Sequence, residues 1–154
     1  MMTLCAEVLR RLAGKSLVTA ESLTGGGIGA ALTAVSGASE VYKGGVICYT
    51  NWVKENVLKV DRQLLDSRGP VCAPVAEAMA AGVRRLLEAD VAVSVTGLAG
   101  PGGDEYGNPV GTVFIGFQSA EKSTVRECHF EGDRDQVRRQ TIQAALKLIL
   151  EMTE

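Results

Sequence analysis

A serine followed closely by glycines is the first segment of this sequence with the residue types for chemistry. The segment Ala20–Gly26 begins at the last residue of Leu17–Ala20, a short apolar run that predicts a buried strand. A hydroxyl at the end of such a strand lies at the sheet edge where open α/β folds bind ligands. The glycines let backbone N–H groups approach a substrate, and the start of the next helix attracts an anion. Ser22 is therefore a candidate nucleophile beside an oxyanion hole formed around Thr24 to Gly26.

The same segment has a purely structural interpretation. Ser22 or Thr24 would then cap the following helix, and the glycines would allow close packing against the sheet. Residue types alone favour this interpretation, and the segment lacks the GxSxG pattern of a nucleophile elbow.

The second candidate is a lysine that lies about one helical turn after a strand ending in an aromatic residue. Tyr49 ends the predicted strand Gly44–Tyr49, and Lys54 follows in a short helix for which Asn51 is a suitable cap. Partial desolvation would lower the pKa of Lys54 towards neutrality, so that it could take a proton from a serine hydroxyl. The alternatives are an ordinary surface lysine and a tyrosine packed in the core.

The third candidate is a threonine at the end of a third predicted strand. Thr96 follows the nearly continuous apolar run Val91–Val95, and a glycine-rich loop from Gly97 to Pro109 comes after it. Thr96 could donate a hydrogen bond to a substrate at the same sheet edge, or only to its own backbone.

Several arginines occupy the first turns of the last predicted helix, in the segment Gly132–Arg139. The helix macrodipole disfavours positive charge at this end, so a compensating group is expected. A bound phosphate would serve, and so would salt bridges to Asp133, Asp135 or Glu131. The residue pattern leaves both possibilities open.

The elements that must position these residues alternate between helix and strand. Helices are predicted from Cys5 to a glycine C-cap at Gly14, from Ile28 to Val35, around Met79 to Leu87, and after an N-cap at Asp133. Pro70 and Pro74 are expected in a loop. The last two strands, Val110–Phe117 and Thr124–Phe130, are joined by a short connection and should be antiparallel. The prediction is an α/β fold with a mixed, mainly parallel sheet.

Composition narrows the class of protein. The 154 residues, 46% of them apolar, match one domain over residues 1–154. A net charge of −2 argues against nucleic acid or membrane as a partner. Four scattered cysteines and one histidine, His129, predict no metal site, and the N-terminal segment resembles no export signal, so we expect a cytoplasmic protein.

Taken together, these segments resemble the CinA C-terminal domain family, which includes stand-alone nicotinamide mononucleotide deamidases. The resemblance spans nearly the whole chain, through Ala20–Gly26, Gly44–Lys54, Val95–Pro101, Pro109–Val113, and Phe130–Arg134 with Arg138–Gln140. It implies a three-layer α/β/α domain that hydrolyses the pyridine carboxamide of a nucleotide without metal or cofactor. It also implies Ser22 as nucleophile and Lys54 as base, supported by Tyr49 and Thr96. Substrate binding is expected at Thr24, Gly25, Gly26, Gly97, Gly100 and Arg138 or Arg139.

Three positions depart from the family pattern and motivate another hypothesis. Leu23 replaces cysteine, Trp52-Val53 replaces a smaller, acidic pair, and Cys72 replaces serine. The alternative is a catalytically silent pyridine-nucleotide binding module. Trp52 could stack on a ligand, fill a subunit contact or pack in the core. The family name alone suggests a third possibility, a partner in DNA uptake, although no basic face favours direct DNA binding. We expect a homo-oligomer, a dimer or higher.

Overall fold

Helices cover both faces of a five-stranded sheet in the computed structural model, which describes residues 1–154. The strands are β1 (Leu17–Glu21), β2 (Tyr42–Ile47), β3 (Val91–Gly97), β4 (Thr112–Gln118) and β5 (Ser123–His129). The helices are α1 (Met2–Arg11), α2 (Gly27–Thr33), α3 (Asn51–Asn56), α4 (Arg62–Arg68), α5 (Ala73–Leu86) and α6 (Arg134–Met152), with a short 3-10 helix at Ala38–Glu40.

The strand order, β2-β1-β3-β4-β5, confirms the predicted mixed sheet. β1 is parallel to both β2 and β3, whereas β4 is antiparallel to β3 and to β5. Only β4 therefore runs against the other four strands. Glu21, the last residue of β1, aligns with Ile47 of β2 and with Val95 of β3. The carboxyl ends of these three parallel strands consequently meet at one edge of the sheet.

Alternating strand residues supply two separate apolar layers, which confirms the three-layer α/β/α arrangement. Val91, Val93 and Val95 of β3 pack with buried residues of α1, α2 and α6. Val18 and Ala20 of β1 face the opposite way and pack with α5 and the segments around α3 and α4. Because strand side chains alternate in direction, one apolar strand serves both layers. No helix combines the length and apolar character that crossing a bilayer requires.

Several local predictions need correction. Pro74 lies in the first turn of α5 rather than in a loop, since a helix start tolerates a residue without an N–H. Asn51 is the first residue of α3, and Thr50 occupies the cap position. α1 ends at Arg11 with Leu12 as its cap, so Gly14 lies in the turn beyond. α4, capped by the Asp61 side chain, was not anticipated.

The N-terminus of α6 begins as the sequence predicts. The Asp133 carboxylate accepts from the Gln136 backbone N–H at 2.9 Å, and the Gln136 side chain accepts from the Asp133 N–H at 2.8 Å. This capping box sets the direction in which the first two turns of α6 display their arginines.

Candidate active site

Two side chains that lie far apart in the sequence meet where β1 and β2 end. Lys54 Nζ donates to Ser22 Oγ at 3.0 Å and to the Cys48 backbone carbonyl at 2.7 Å. Lys54 is only 1% exposed and Ser22 only 7% exposed. Ser22 directly follows β1, while Lys54 lies on α3, which begins four residues after β2. The parallel pairing of β1 with β2 therefore brings the hydroxyl and the amine together.

The environment of Lys54 favours an uncharged amine. Burial lowers the pKa of Lys54, and no carboxylate lies within ion-pair distance of it. Burial also raises the pKa of the neighbouring Cys48 thiol to about 11, so the thiol stays neutral near physiological pH and provides no counter-charge. The interpretation of Lys54 as a surface lysine is therefore wrong. A neutral amine within hydrogen-bond reach can accept the serine proton.

A cavity of about 290 Å³ opens onto this pair. Six of the sequence-predicted site residues line it: Ser22, Lys54, Tyr49, Thr96, Gly97 and Gly100. The remaining wall consists of Leu23, Pro70, Val71, Leu98, Ala99, Gly102 and Arg134. Strand ends thus form the floor of the cavity, and the loop between β3 and β4 forms one side.

Thr96 and Tyr49 occupy the cavity wall in different ways. The Thr96 hydroxyl donates to the Pro70 carbonyl at 2.8 Å, so it holds the neighbouring wall segment in place. Tyr49 is 58% exposed, which excludes the core position considered for it. Its hydroxyl accepts from Arg134 at 3.2 Å. Tyr49 is therefore the more accessible hydrogen-bonding group.

The glycine-rich turn after Ser22 lies behind the cavity wall. Thr24, Gly25 and Gly26 do not line the cavity. The Gly25 N–H donates to the Ser22 carbonyl at 3.1 Å, and the Thr24 hydroxyl donates to Glu21 at 2.7 Å. Gly26, with φ of +98°, provides the left-handed backbone at the cap position of α2. The cavity geometry therefore does not support the prediction that Thr24, Gly25 and Gly26 bind the substrate.

The start of α2 is also unavailable to a substrate anion, because Glu21 already occupies it. The Ile28 and Gly29 N–H groups donate to the Glu21 carboxylate at 2.8 Å and 3.0 Å. No role was predicted for Glu21, although an acidic side chain just before a helix start is a recognisable signal.

The arginines of α6 have three different environments. Arg134 lines the cavity and donates to the Gly100 carbonyl at 2.8 Å. Arg138 lies behind the wall, where it donates to the carbonyls of Leu23 and Thr24 at 2.9 Å and 3.2 Å. Arg139 is on the surface and pairs with Asp135 at 3.0 Å. Arg138 or Arg139 was predicted as the phosphate ligand, whereas the arginine at the cavity is Arg134.

Helical geometry accounts for this difference. Residues four apart lie on one face of a helix, so Arg134 and Arg138 both point towards the sheet edge. Arg139 is one position further on and is turned away by about 100°. Arg134 directly follows the predicted N-cap Asp133. This position in the first turn of α6 was the signal in the sequence that could have identified it as the cavity arginine.

The departures from the family pattern lie around the site without displacing the Ser22–Lys54 pair. Leu23 is buried and forms part of the cavity wall. Trp52 is 67% exposed and does not line the cavity, so the core position considered for it is wrong. The Cys72 thiol is buried and donates to the Gly69 carbonyl at 3.6 Å. His129 pairs with Glu127 on β5, and no three His, Cys, Asp or Glu side chains converge as a metal site requires.

Comparison with known proteins gives consistent matches over the whole chain. The family model described as "CinA C-terminal domain" matches residues 2–153. A "CinA-like protein" of Synechococcus sp. (strain CC9311) is 56% identical over 115 residues, covering 73% of this chain and 27% of that protein. A "putative competence-damage inducible protein" of Geobacillus kaustophilus is 44% identical over 153 residues, covering 97% of this chain and 37% of that protein. This chain therefore spans well under half the length of these relatives.

Solved structures agree with this match. The competence damage-inducible protein A of Klebsiella pneumoniae superposes with a TM-score of 0.95 at 36% identity, covering 97% of this chain and 94% of that one. A competence/damage inducible protein of Agrobacterium tumefaciens superposes with a TM-score of 0.96 at 32% identity, covering 99% of this chain and 95% of that one. Both structures share the fold along nearly their entire length.

Proposed function

The chain belongs to the CinA C-terminal domain family, and on that premise we propose that it deamidates nicotinamide mononucleotide. The products are nicotinate mononucleotide and ammonia. The observation that carries the proposal is the 3.0 Å contact between Lys54 Nζ and Ser22 Oγ, with both side chains buried at the floor of a cavity. A Ser–Lys pair can form an acyl-enzyme from an amide without a histidine.

The first half of the reaction forms an ester on Ser22. Neutral Lys54 accepts the hydroxyl proton while Ser22 Oγ bonds to the carboxamide carbon, which gives a tetrahedral intermediate. The C–N bond then breaks, and the Lys54 ammonium transfers its proton to the departing nitrogen. Ammonia leaves, and the nicotinoyl group remains attached to Ser22.

The second half releases the acid. A water molecule attacks the ester carbon while Lys54 accepts one of its protons. The bond to Ser22 Oγ breaks, the proton returns to the serine oxygen, and nicotinate mononucleotide departs. One buried amine therefore serves as base and acid in both halves, which requires it to exchange a proton readily near neutral pH.

The oxyanion of the tetrahedral intermediates needs backbone donors that face the cavity. Leu23 and Ala99 both line it, and neither of their N–H groups donates to a backbone carbonyl. We assign these two amides to the oxyanion. Leu23 directly follows the nucleophile, so its N–H moves together with Ser22.

The nucleotide phosphate is assigned to Arg134. Its guanidinium is the one permanently cationic group on the cavity wall, and it contacts a backbone carbonyl and a phenol rather than a carboxylate. A guanidinium without a carboxylate partner can bind phosphate through charge-assisted hydrogen bonds. Tyr49, which accepts from the same guanidinium, is placed to contact the ribose or phosphate.

A product assay tests the proposal. The purified protein is incubated with nicotinamide mononucleotide, and nicotinate mononucleotide and ammonia are measured by mass spectrometry and a coupled assay. Ser22→Ala should abolish both products, whereas Ser123→Ala, a change at an exposed serine of β5, should not. No product from the wild-type protein, or full activity of Ser22→Ala, would contradict the proposal. Calorimetric binding of the nucleotide without turnover would instead favour the silent binding module.

A further inference from the structure

The carboxylate of Glu21 is buried next to the nucleophile with no cation to pair with it. Glu21 is 2% exposed, and none of the ion pairs of the protein includes it. One oxygen accepts from the Thr24 hydroxyl at 2.7 Å and from the Ile28 N–H at 2.8 Å. The other accepts from the Gly29 N–H at 3.0 Å and from the Thr19 hydroxyl at 3.1 Å. Four donors therefore hold one carboxylate.

Close packing holds this carboxylate in one place. A Cβ at Gly29 would lie 2.6 Å from the Tyr42 hydroxyl, which in turn is 2.8 Å from the Thr19 hydroxyl. A Cβ at Gly45 of β2 would overlap Thr19. The two glycines thus let α2 and β2 approach the polar group closely. Buried polar groups with all partners present restrict a site to one geometry.

The four donors lie on both sides of Ser22 along the chain. Thr19 precedes it on β1, while Thr24, Ile28 and Gly29 follow it. The carboxylate therefore bridges the turn that contains the nucleophile. Arg138 of α6 donates to the carbonyls of Leu23 and Thr24 in the same turn. The backbone around Ser22 is consequently held by two side chains, one from β1 and one from α6.

We propose that Glu21 is a positioning residue, whose buried carboxylate holds the Ser22 turn so that the hydroxyl faces Lys54. This inference rests on the proposed function, because it assigns Glu21 a part in the same acyl transfer. Glu21 does not touch the substrate. It acts through Thr24 and the first turn of α2, and these groups fix the position of the Ser22 hydroxyl.

The magnitude of the effect follows from the sensitivity of bond formation to alignment. A displacement of about 1 Å between reacting groups can reduce a rate about 100-fold. Glutamine at position 21 would place its NH₂ against either the Ile28 or the Gly29 N–H, because each carboxylate oxygen accepts from one of them. Two donors repel each other, so the turn must shift. We expect Glu21→Gln to lower kcat about 100-fold with KM nearly unchanged.

A matched pair of threonines separates positioning from stability. Thr19 and Thr24 are both 1% exposed, and each donates one hydrogen bond to Glu21. Only Thr24 belongs to the turn after Ser22. Thr24→Val should lower kcat about tenfold, and Thr24→Ser, which keeps the hydroxyl, should restore most of it. Thr19→Val also loses a contact with Tyr42, so it should be destabilised at least as much while kcat changes only about twofold.

A second readout is independent of the natural substrate. A fluorophosphonate probe phosphonylates an activated serine: the bond from Ser22 Oγ to phosphorus forms, the P–F bond breaks, fluoride leaves, and Lys54 accepts the hydroxyl proton. The labelling rate at Ser22, followed by intact-protein mass spectrometry, should fall in Glu21→Gln and Thr24→Val by factors similar to those for kcat. Thr24→Val remains informative if Glu21→Gln fails to fold.

Several outcomes overturn the inference. These are equal losses of labelling rate in Thr24→Val and Thr19→Val, wild-type labelling of folded Glu21→Gln, and no labelling of Ser22 in the wild-type protein. Failure of the proposed function has a different signature. In that case the wild-type protein is labelled at Ser22 but converts no nicotinamide mononucleotide, and the labelling rates of the variants still decide the role of Glu21.

Discussion

Replacing Lys54 with methionine separates the chemistry of the buried amine from the cost of burying it. Methionine fills a similar volume without a charge. Because Nζ lies 3.0 Å from Ser22 Oγ and no histidine lines the cavity, the variant lacks a general base. Such a base raises the reaction rate about 100- to 10,000-fold. We expect kcat to fall about 1,000-fold, which corresponds to about 4 kcal/mol of lost transition-state stabilisation.

Stability should not fall with activity. The change leaves the Cys48 carbonyl without its 2.7 Å partner, at a cost of about 1–3 kcal/mol. It also removes a 1% exposed amine with a lowered pKa. Folding near neutral pH costs free energy at this position, because the lysine must release the proton that it carries in the unfolded chain. Because the second effect is larger near neutral pH, we expect Lys54→Met to be up to about 2 kcal/mol more stable than the wild type.

The stability advantage of Lys54→Met over the wild type should decrease as the pH rises. Burial lowers the folded-state pKa of Lys54, whereas a lysine in the unfolded chain titrates near about 10.4. Between these two values the unfolded wild type binds one proton more than the folded protein. Its free energy of unfolding therefore rises with pH across that window. The variant lacks this group, so its advantage should shrink as the solution becomes alkaline.

Urea denaturation over a pH series, combined with turnover measurements, tests both expectations. Lys43→Met is the matched control, because Lys43 is an exposed lysine of β2 and should leave kcat and its pH dependence unchanged. Retention of more than about a tenth of wild-type kcat by Lys54→Met would exclude Lys54 as the base. Parallel stability curves for the wild type and Lys54→Met would refute the lowered pKa.

Further expectations concern other parts of the site and the core. The kcat of the wild type should rise with pH as Lys54 loses its proton, and a flat pH–rate profile would argue against a lysine base. Arg134→Gln should raise KM for nicotinamide mononucleotide about tenfold or more, yet leave KM for the phosphate-free nicotinamide riboside unchanged; equal effects on both would exclude phosphate binding. Arg138→Ala should lower kcat about tenfold, because Leu23 and Thr24 lose their side-chain contact; crystallography of the variant would reveal an unmoved turn if this is wrong. Gly116→Ala should destabilise the fold by about 3 kcal/mol in urea denaturation, since the new Cβ would lie 2.6 Å from the Ala76 carbonyl.

The predicted homo-oligomer stays a prediction. Ile47, Tyr49 and Trp52 are all more than half exposed at the end of β2 and the start of α3. Light scattering on the purified protein measures the assembly directly.

Much of the fold was predictable because it depends on short-range patterns. The nearly continuous apolar run of β3, the turn residues between strands and the cap at Asp133 each act within a few residues, so hydrophobic pattern and local residue types identified them. Placing Ser22, Tyr49, Lys54 and Thr96 at one sheet edge required only the rule that parallel strands end on the same side. α4 was missed because its only apolar residues, Leu64 and Leu65, are adjacent and show no helical spacing.

Tertiary structure alone decided which polar groups are free to contact a substrate and which already have hydrogen-bond partners in the protein. Whether the α2 amides face a substrate or Glu21, whether Lys54 is buried, and whether Arg134 or Arg139 reaches the cavity depend on contacts between distant segments. Burial and hydrogen bonding arise from the packing of several elements at once, and local patterns indicate them only in part. The residue types of the site could be read along the chain, but their partners and their charges depend on the folded neighbourhood.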